Sequence, residues 1–197
     1  MNNKEIQEQR MKGYFIESAK NLLRGEGLKS ISVRHVADHA GYSYATLYNY
    51  FKDLNELIFI CVEDFQKEAA EFIERKSADA PRGIGKLNAI ARAYAEYFIE
   101  YPGVFELFFV EKMTDSKSES KCRVSELIHT FLDRLCEKEW DHCVESGVFT
   151  RRHADIRKQT LNNAVTGMLL FYERRTQPAN YEDFIASVKE QTAAILS

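Results

Sequence analysis

Ser30-Ile-Ser-Val-Arg-His-Val-Ala-Asp-His-Ala-Gly-Tyr-Ser-Tyr-Ala-Thr-Leu-Tyr-Asn-Tyr-Phe51 is the most informative segment of this 197-residue chain. Ser32 is placed as an N-cap, with a hydroxyl able to accept from the first unpaired N–H groups of a helix. Val33, Val36, Ala37 and Ala40 then form one apolar face, and Arg34, His35, Asp38 and His39 point away from it. Ala37 is small where two helices must approach closely. Gly41 permits the left-handed backbone that ends a helix and turns the chain. Ser43 caps a second helix, anchored inward by Leu47 and Phe51. A short helix, a glycine turn and a second short capped helix make a helix-turn-helix, the unit whose second helix enters the DNA major groove.

The charge around this segment agrees with that reading. Residues 1–52 carry eight Lys/Arg against five Asp/Glu, whereas residues 53–197 carry 19 against 25. A net charge of −3 for the chain therefore hides a basic head on an acidic body, as expected if only the head meets phosphate. Two amphipathic helices packed in an ordinary core would also explain the apolar spacing. Tyr44, Tyr48, Asn49 and Tyr50, however, are more than one short helix can bury.

The run Val36-Ala37-x-x-Ala40-Gly41-x-Ser43-x-x-Thr46-Leu47-Tyr48-x-Tyr50-Phe51 resembles the signature of the TetR family of bacterial transcriptional regulators. The resemblance implies a three-helix DNA-binding head, a long fourth helix and a variable helical body. It further implies that Ser32 and Thr46 bond phosphate through their hydroxyls and Tyr48 through its phenol, with Ser43 a further candidate for DNA binding. Tyr44 and Ala45 match positions that meet base edges, with Asn49 one turn on from Ala45. The chemistry is compatible, since alanine can touch a thymine methyl and asparagine can pair bidentately with adenine. Arg34 is placed to reach a base or a phosphate. The chain departs from the pattern at Leu54, where the family usually has lysine; Lys52 is near enough to take over that contact.

Outside the motif the periodicity is helical nearly throughout, so the expected class is all-α, with a helix-turn-helix head over 1–52 and a helical bundle over 53–197, about nine helices in all. A first helix is expected from Lys4 to Arg24, closing at Gly25-Glu26-Gly27, and short ones over Ser32–His39 and Ser43–Tyr50. Leu54, Leu57, Ile58, Cys61, Val62, Phe65, Ala69 and Phe72 step by threes and fours along a long helix beginning near Asp53. Ile84, Leu87, Ala91, Tyr94, Phe98 and Tyr101 do likewise before Pro102. After the aromatic segment Val104–Val110 comes a polar, linker-like stretch, Thr114–Ser120. Helices over Lys121–Glu145, Ala154–Arg175 and Tyr181–Leu196 complete the chain.

The body is crowded with aromatic residues. Tyr94, Tyr97, Phe105, Phe108, Phe109, Phe131, Trp140, Phe171 and Tyr172, with Met168, are candidate walls of a cavity for an apolar or amphipathic small molecule. Core packing explains any one of them singly. The family resemblance implies an effector pocket framed by the helices after the fourth. It also implies a homodimer seam on the last two helices, where Leu161, Val165, Gly167 and Leu169 form one stripe and Phe184, Val188 and Ile195 another. Both stripes could equally face the chain's own core.

Other signals are weaker. His35 and His39 have metal-compatible spacing but no third ligand, and read as a solvated helix face. Cys122, His129, Cys136 and Cys143 repeat every seven residues, about 10.5 Å apart along a helix, too far to share a metal or form a disulfide within it. Buried thiols are the simpler reading, with a thiol-based redox regulator as the alternative. No catalytic constellation, metal site or cofactor motif has a signature here, so an enzyme is not expected. The chain shows neither an export signal nor a membrane span, which points to a cytoplasmic protein. Its expected partners are a palindromic double-stranded DNA operator, a small-molecule effector and a second copy of itself, with no membrane. A helical protein-interaction module without DNA binding is the reading from another class.

Overall fold

The computed structural model describes residues 3–110, 127–174 and 177–197. The expected linker at 114–120, Cys122 and the start of the helix expected from Lys121 lie outside the described residues. The described residues are helical, in the order α1 (Asn3–Glu26), α2 (Val33–Ala40), α3 (Tyr44–Leu47), α4 (Leu54–Ser77), α5 (Ile84–Glu100), α6 (Pro102–Phe105), α7 (Phe131–Glu145), α8 (Arg151–Glu173) and α9 (Tyr181–Leu196). A 3-10 turn, Leu28–Ser30, precedes α2, and a π-helical turn, Glu106–Val110, continues α6. No helix among the described residues is long and apolar enough to cross a membrane.

The chain divides into two compact units, and not at residue 52. The first holds residues 3–66 together with 101–110 and 127–128; the second holds 67–100 and 129–197, excluding 175 and 176. The boundary lies beyond the helix-turn-helix because the first half of α4 is packed and bonded to α1. Buried Lys20 reaches Glu17 at 3.4 Å and Asp64 of α4 at 3.8 Å. The Cys61 thiol donates to the Ile16 carbonyl at 3.9 Å. Segment α6 joins the same unit. A Cβ added at Gly103 would lie 2.5 Å from the carbonyl oxygens of both Leu23 and Arg24, so only glycine lets α6 sit this close to the end of α1.

The core of the first unit gathers round Phe15, which is fully buried. Its ring meets those of Tyr42 at 5.6 Å, Tyr50 at 6.1 Å and Phe51 at 6.3 Å. Ala19, Leu23, Val36, Ala37 and Leu47 fill the space between α1, α2 and α3. This core holds the helix-turn-helix against α1.

In the second unit α5 is the central element, packed against α7, α8 and α9. Leu87, Ile90, Ala91, Ala93, Tyr94, Ala95, Tyr97 and Phe98 are all buried, the pattern of a helix covered nearly all round. The Tyr94 ring meets Phe98 at 4.8 Å and Phe131 of α7 at 5.9 Å. The C-terminal end of α4 is capped by Lys86, whose ammonium donates to the Ser77 carbonyl at 2.5 Å and the Ala78 carbonyl at 3.3 Å. A cation there opposes the negative end of the helix dipole.

Candidate functional site

Helix α2 begins as its cap requires: Ser32 is extended and its Oγ accepts the His35 N–H at 3.1 Å. It ends in a two-bond motif, with Tyr42 N–H donating to the Ala37 carbonyl at 2.9 Å and Gly41 N–H to Asp38 at 3.1 Å. Gly41 holds φ +79°, a left-handed conformation that a side chain would strain. Ser43 then caps α3, accepting the Thr46 N–H at 3.2 Å.

Helix α3 is shorter than the expected Ser43–Tyr50, because its regular part stops at Leu47. Beyond it the N–H groups of Asn49 and Tyr50 reach back only three residues, to Thr46 and Leu47. Tyrosine and asparagine are middling helix formers, and nothing in this short run favours the four-residue bond over the tighter one. Leu47 and Phe51 are buried and anchor the segment. Tyr44 and Tyr48 stand 53% and 52% exposed, and Ala45 and Asn49 are exposed beside them.

The hydroxyls of the motif keep hydrogen-bonding capacity. Ser32 Oγ uses a lone pair for capping, which leaves its proton for an outside acceptor. Ser43 Oγ and Thr46 Oγ1 lie 2.9 Å apart, so one donates to the other and the second keeps its proton for an outside acceptor. The start of α4 differs. Asp53 accepts the Glu56 N–H at 2.9 Å, and the Glu56 carboxylate accepts the Lys52 N–H at 2.6 Å. These two carboxylates put negative charge at the N-terminus of α4 and make it a poor seat for a phosphate. Lys52 is exposed and its ammonium makes no ion pair with a described residue, so the cation stays available. His35 turns toward α1, its Nε2 4.0 Å from Glu26 Oε1.

Residues 15–59 match the family described as bacterial regulatory proteins, tetR family. This segment is similar to a TetR-family head. The fold is shared with several solved proteins. A TetR family transcription regulator from Marinobacter aquaeolei VT8 is 14% identical with a TM-score of 0.67, covering 97% of both chains. The regulator FadR from Bacillus subtilis, solved in complex with stearoyl-CoA, is 14% identical with a TM-score of 0.72, covering 93% of this chain and 96% of its own. RolR, solved with resorcinol, is 15% identical with a TM-score of 0.66, covering 97% and 95%. No curated protein sequence matches the chain.

Outside residues 15–59, the ten pocket candidates occupy several places. Phe105, Phe108 and Phe109 belong to the first unit, on α6 and the π-helical turn, with the Phe109 ring centroid 5.2 Å from that of Phe105 and 6.1 Å from that of Phe108. In the second unit Tyr94, Tyr97 and Phe131 are buried core, and Trp140 packs on Phe149 at 6.1 Å. Burial raises the pKa of the Tyr94 phenol and keeps it neutral. Met168 and Phe171 instead line an open groove of about 490 Å³ with Pro178 and Phe184, and Tyr172 stacks on Phe184 at 4.4 Å. A cleft of about 340 Å³ was not foreseen. Ile73, Ile90 and Leu135 form apolar lining, and Lys86, Arg134 and Lys138 contribute cations. Its residues come from α4, α5 and α7, and no local sequence motif announces it.

The seam candidates need correction. Leu161, Val165, Leu169, Phe184 and Val188 are each at most 1% exposed in the single chain, so they have no surface left for a partner to cover. Their stripes face α5 and each other, because helices packed on one central helix must spend their apolar faces inward. Gly167 and Ile195 are half-buried. The outward apolar residues of α8 are Ile156 and Phe171, the latter 61% exposed.

Cys61, Cys136 and Cys143 are free and buried. Burial is the main cause pushing the Cys61 thiol up to about 12, and it raises Cys136 and Cys143 as well. Reactive thiolates need the opposite shift. Among the described residues no group of three or more His, Cys, Asp or Glu is arranged to hold a metal ion.

Proposed function

We propose that the protein is a homodimeric transcriptional repressor that works in the cytoplasm, binds a palindromic DNA operator and leaves it when a small apolar or amphipathic effector binds the body. The observation that carries this reading is the exposed face of Tyr44, Ala45, Tyr48 and Asn49 on a doubly capped helix-turn-helix. Ser32, Ser43, Thr46, Tyr48 and Lys52 fix the head on the sugar–phosphate backbone. Arg34, Tyr44, Ala45 and Asn49 read bases. Two heads about 34 Å apart meet successive major grooves on one face of the duplex.

A second copy covers the outward face of α8 and α9 around Phe171. The effector binds in the second unit, where Tyr94, Tyr97, Phe131, Trp140 and the amphipathic cleft lie. Stearoyl-CoA and resorcinol, found with regulators of the same fold, support an effector with an apolar part. Helix α4 is continuous over 24 residues, about 36 Å, and links head to body. The effector must bind better to the head spacing that misfits DNA. A coupling of about 1–3 kcal/mol lowers operator affinity about 5- to 150-fold.

Selection of bound sequences from a random DNA pool at two salt concentrations tests this. An enriched palindrome, with retention that falls steeply as salt rises, supports it. A protein that retains no DNA at either salt is not a regulator of this kind.

A further inference from the structure

Between Ser30 and Phe51 there is one lysine or arginine, Arg34, and α3 itself has none. Groove reading by α3 and the turn after it therefore has an asparagine suited to adenine and an alanine suited to a thymine methyl, but no guanidinium or ammonium donor for guanine O6 and N7. Arg34 lies in the first turn of α2, and its guanidinium carbon is 5.7 Å from the centroid of the Tyr44 ring at the start of α3. Both side chains are exposed, and Arg34 makes no hydrogen bond or ion pair with a described residue.

Stacking and hydrogen bonding use different parts of a guanidinium. A ring covers its planar face, while the five N–H donors point outward along the edge. An arginine held in an ion pair would have to give that up before meeting a base. One held only by a ring keeps its fork unspent, and its range of directions is narrowed by that cation–π contact.

Building on the DNA reading above, we infer that Arg34 reads a guanine in each half-site and that Tyr44 is its positioning residue, acting through the ring. The two residues form one composite reader that spans α2 and α3. Tyr44 then affects sequence preference through Arg34 rather than by its phenolic oxygen. Phenylalanine can replace it and alanine cannot.

The test is selection from a random pool with the full-length wild type and the variants Arg34→Ala, Arg34→Lys, Tyr44→Phe, Tyr44→Ala and the double alanine, each with its melting curve. The expected wild-type motif contains a G·C pair per half-site. Preference for it falls about 5- to 150-fold in both Arg34 variants, as loss of a bidentate contact requires. The preference falls similarly in Tyr44→Ala, stays in Tyr44→Phe, and drops no further in the double variant than in Arg34→Ala. Guanine preference that survives Tyr44→Ala but not Arg34→Ala overturns the positioning role. Equal losses in Tyr44→Phe and Tyr44→Ala make the hydroxyl the reader and overturn it too. Uniform weakening of Arg34→Ala on all sequences would make Arg34 a phosphate contact and remove the guanine assignment. A wild type that enriches no sequence defeats the DNA reading itself, and this inference with it.

Discussion

The carboxylate of Glu139 on α7 accepts a 2.7 Å hydrogen bond from the backbone N–H of Gly83, the residue before α5 begins. Its other oxygen accepts from Arg82 Nε at 3.3 Å. A buried side chain of one helix thus caps the start of the central helix of the second unit. Glu139→Ala leaves that N–H unpaired and is expected to cost about 1–3 kcal/mol of stability. Glu139→Gln keeps an acceptor and should cost less. Urea unfolding of the two variants checks this; equal stability of wild type and Glu139→Ala would show that water replaces the carboxylate without loss.

Tyr48 is half exposed at the end of α3, beside the base-reading face. Tyr48→Phe removes one hydroxyl and little else. If that hydroxyl bonds phosphate, binding should weaken by about 1 kcal/mol on every sequence. The slope of affinity against salt should not change, because no charge is lost. Titration of operator and mismatched duplexes at several salt concentrations separates this from base reading, where loss would concentrate at one base pair.

Phe171 and Leu161 lie on the same helix and make opposite predictions. Leu161 is buried in its own chain, so Leu161→Ala should lower stability by about 2–5 kcal/mol through the cavity it leaves. Phe171 is exposed beside the open groove, so Phe171→Glu should leave the fold intact. Its cost should appear in association instead, about 2 kcal/mol or more if the ring sits centrally in the dimer. Sedimentation equilibrium of Phe171→Glu should show monomers at concentrations where wild type is paired. An unchanged dimer would move the seam away from α8.

What could be read from the chain alone follows the range of the interactions. Ser32, Gly41 and Ser43 act on backbone groups within five residues, so the helix-turn-helix is visible in sequence. Gly83-Ile-Gly-Lys86 likewise marks a helix entry. Its cap is invisible there, because Glu139 lies 56 residues away. The stripes on α8 and α9 show that each helix has an apolar face, but period alone does not say what covers it. Here α5 does, which is why the seam candidates are buried. The join of α6 to the head depends on Gly103 meeting the Leu23 and Arg24 carbonyls, a contact some 80 residues apart in sequence that no local pattern announces.

The three described thiols give the last prediction. Peroxide and alkylating reagents attack the thiolate, so a thiol reacts in proportion to its ionised fraction and its access. Cys61, Cys136 and Cys143 are buried, and burial moves each pKa above the ordinary value of 9.0, with Cys61 at about 12. The thiol form therefore dominates at pH 7, and at pH 8 the thiolate fraction stays well below that of a free cysteine. Native protein treated with iodoacetamide at pH 8 should leave all three unmodified over the time that alkylates a free thiol, and urea should expose them to complete reaction. Mass spectrometry of the digested protein reads both results. Rapid modification of Cys136 or Cys143 in the native state would show that the second unit opens, and would return a redox signal to consideration.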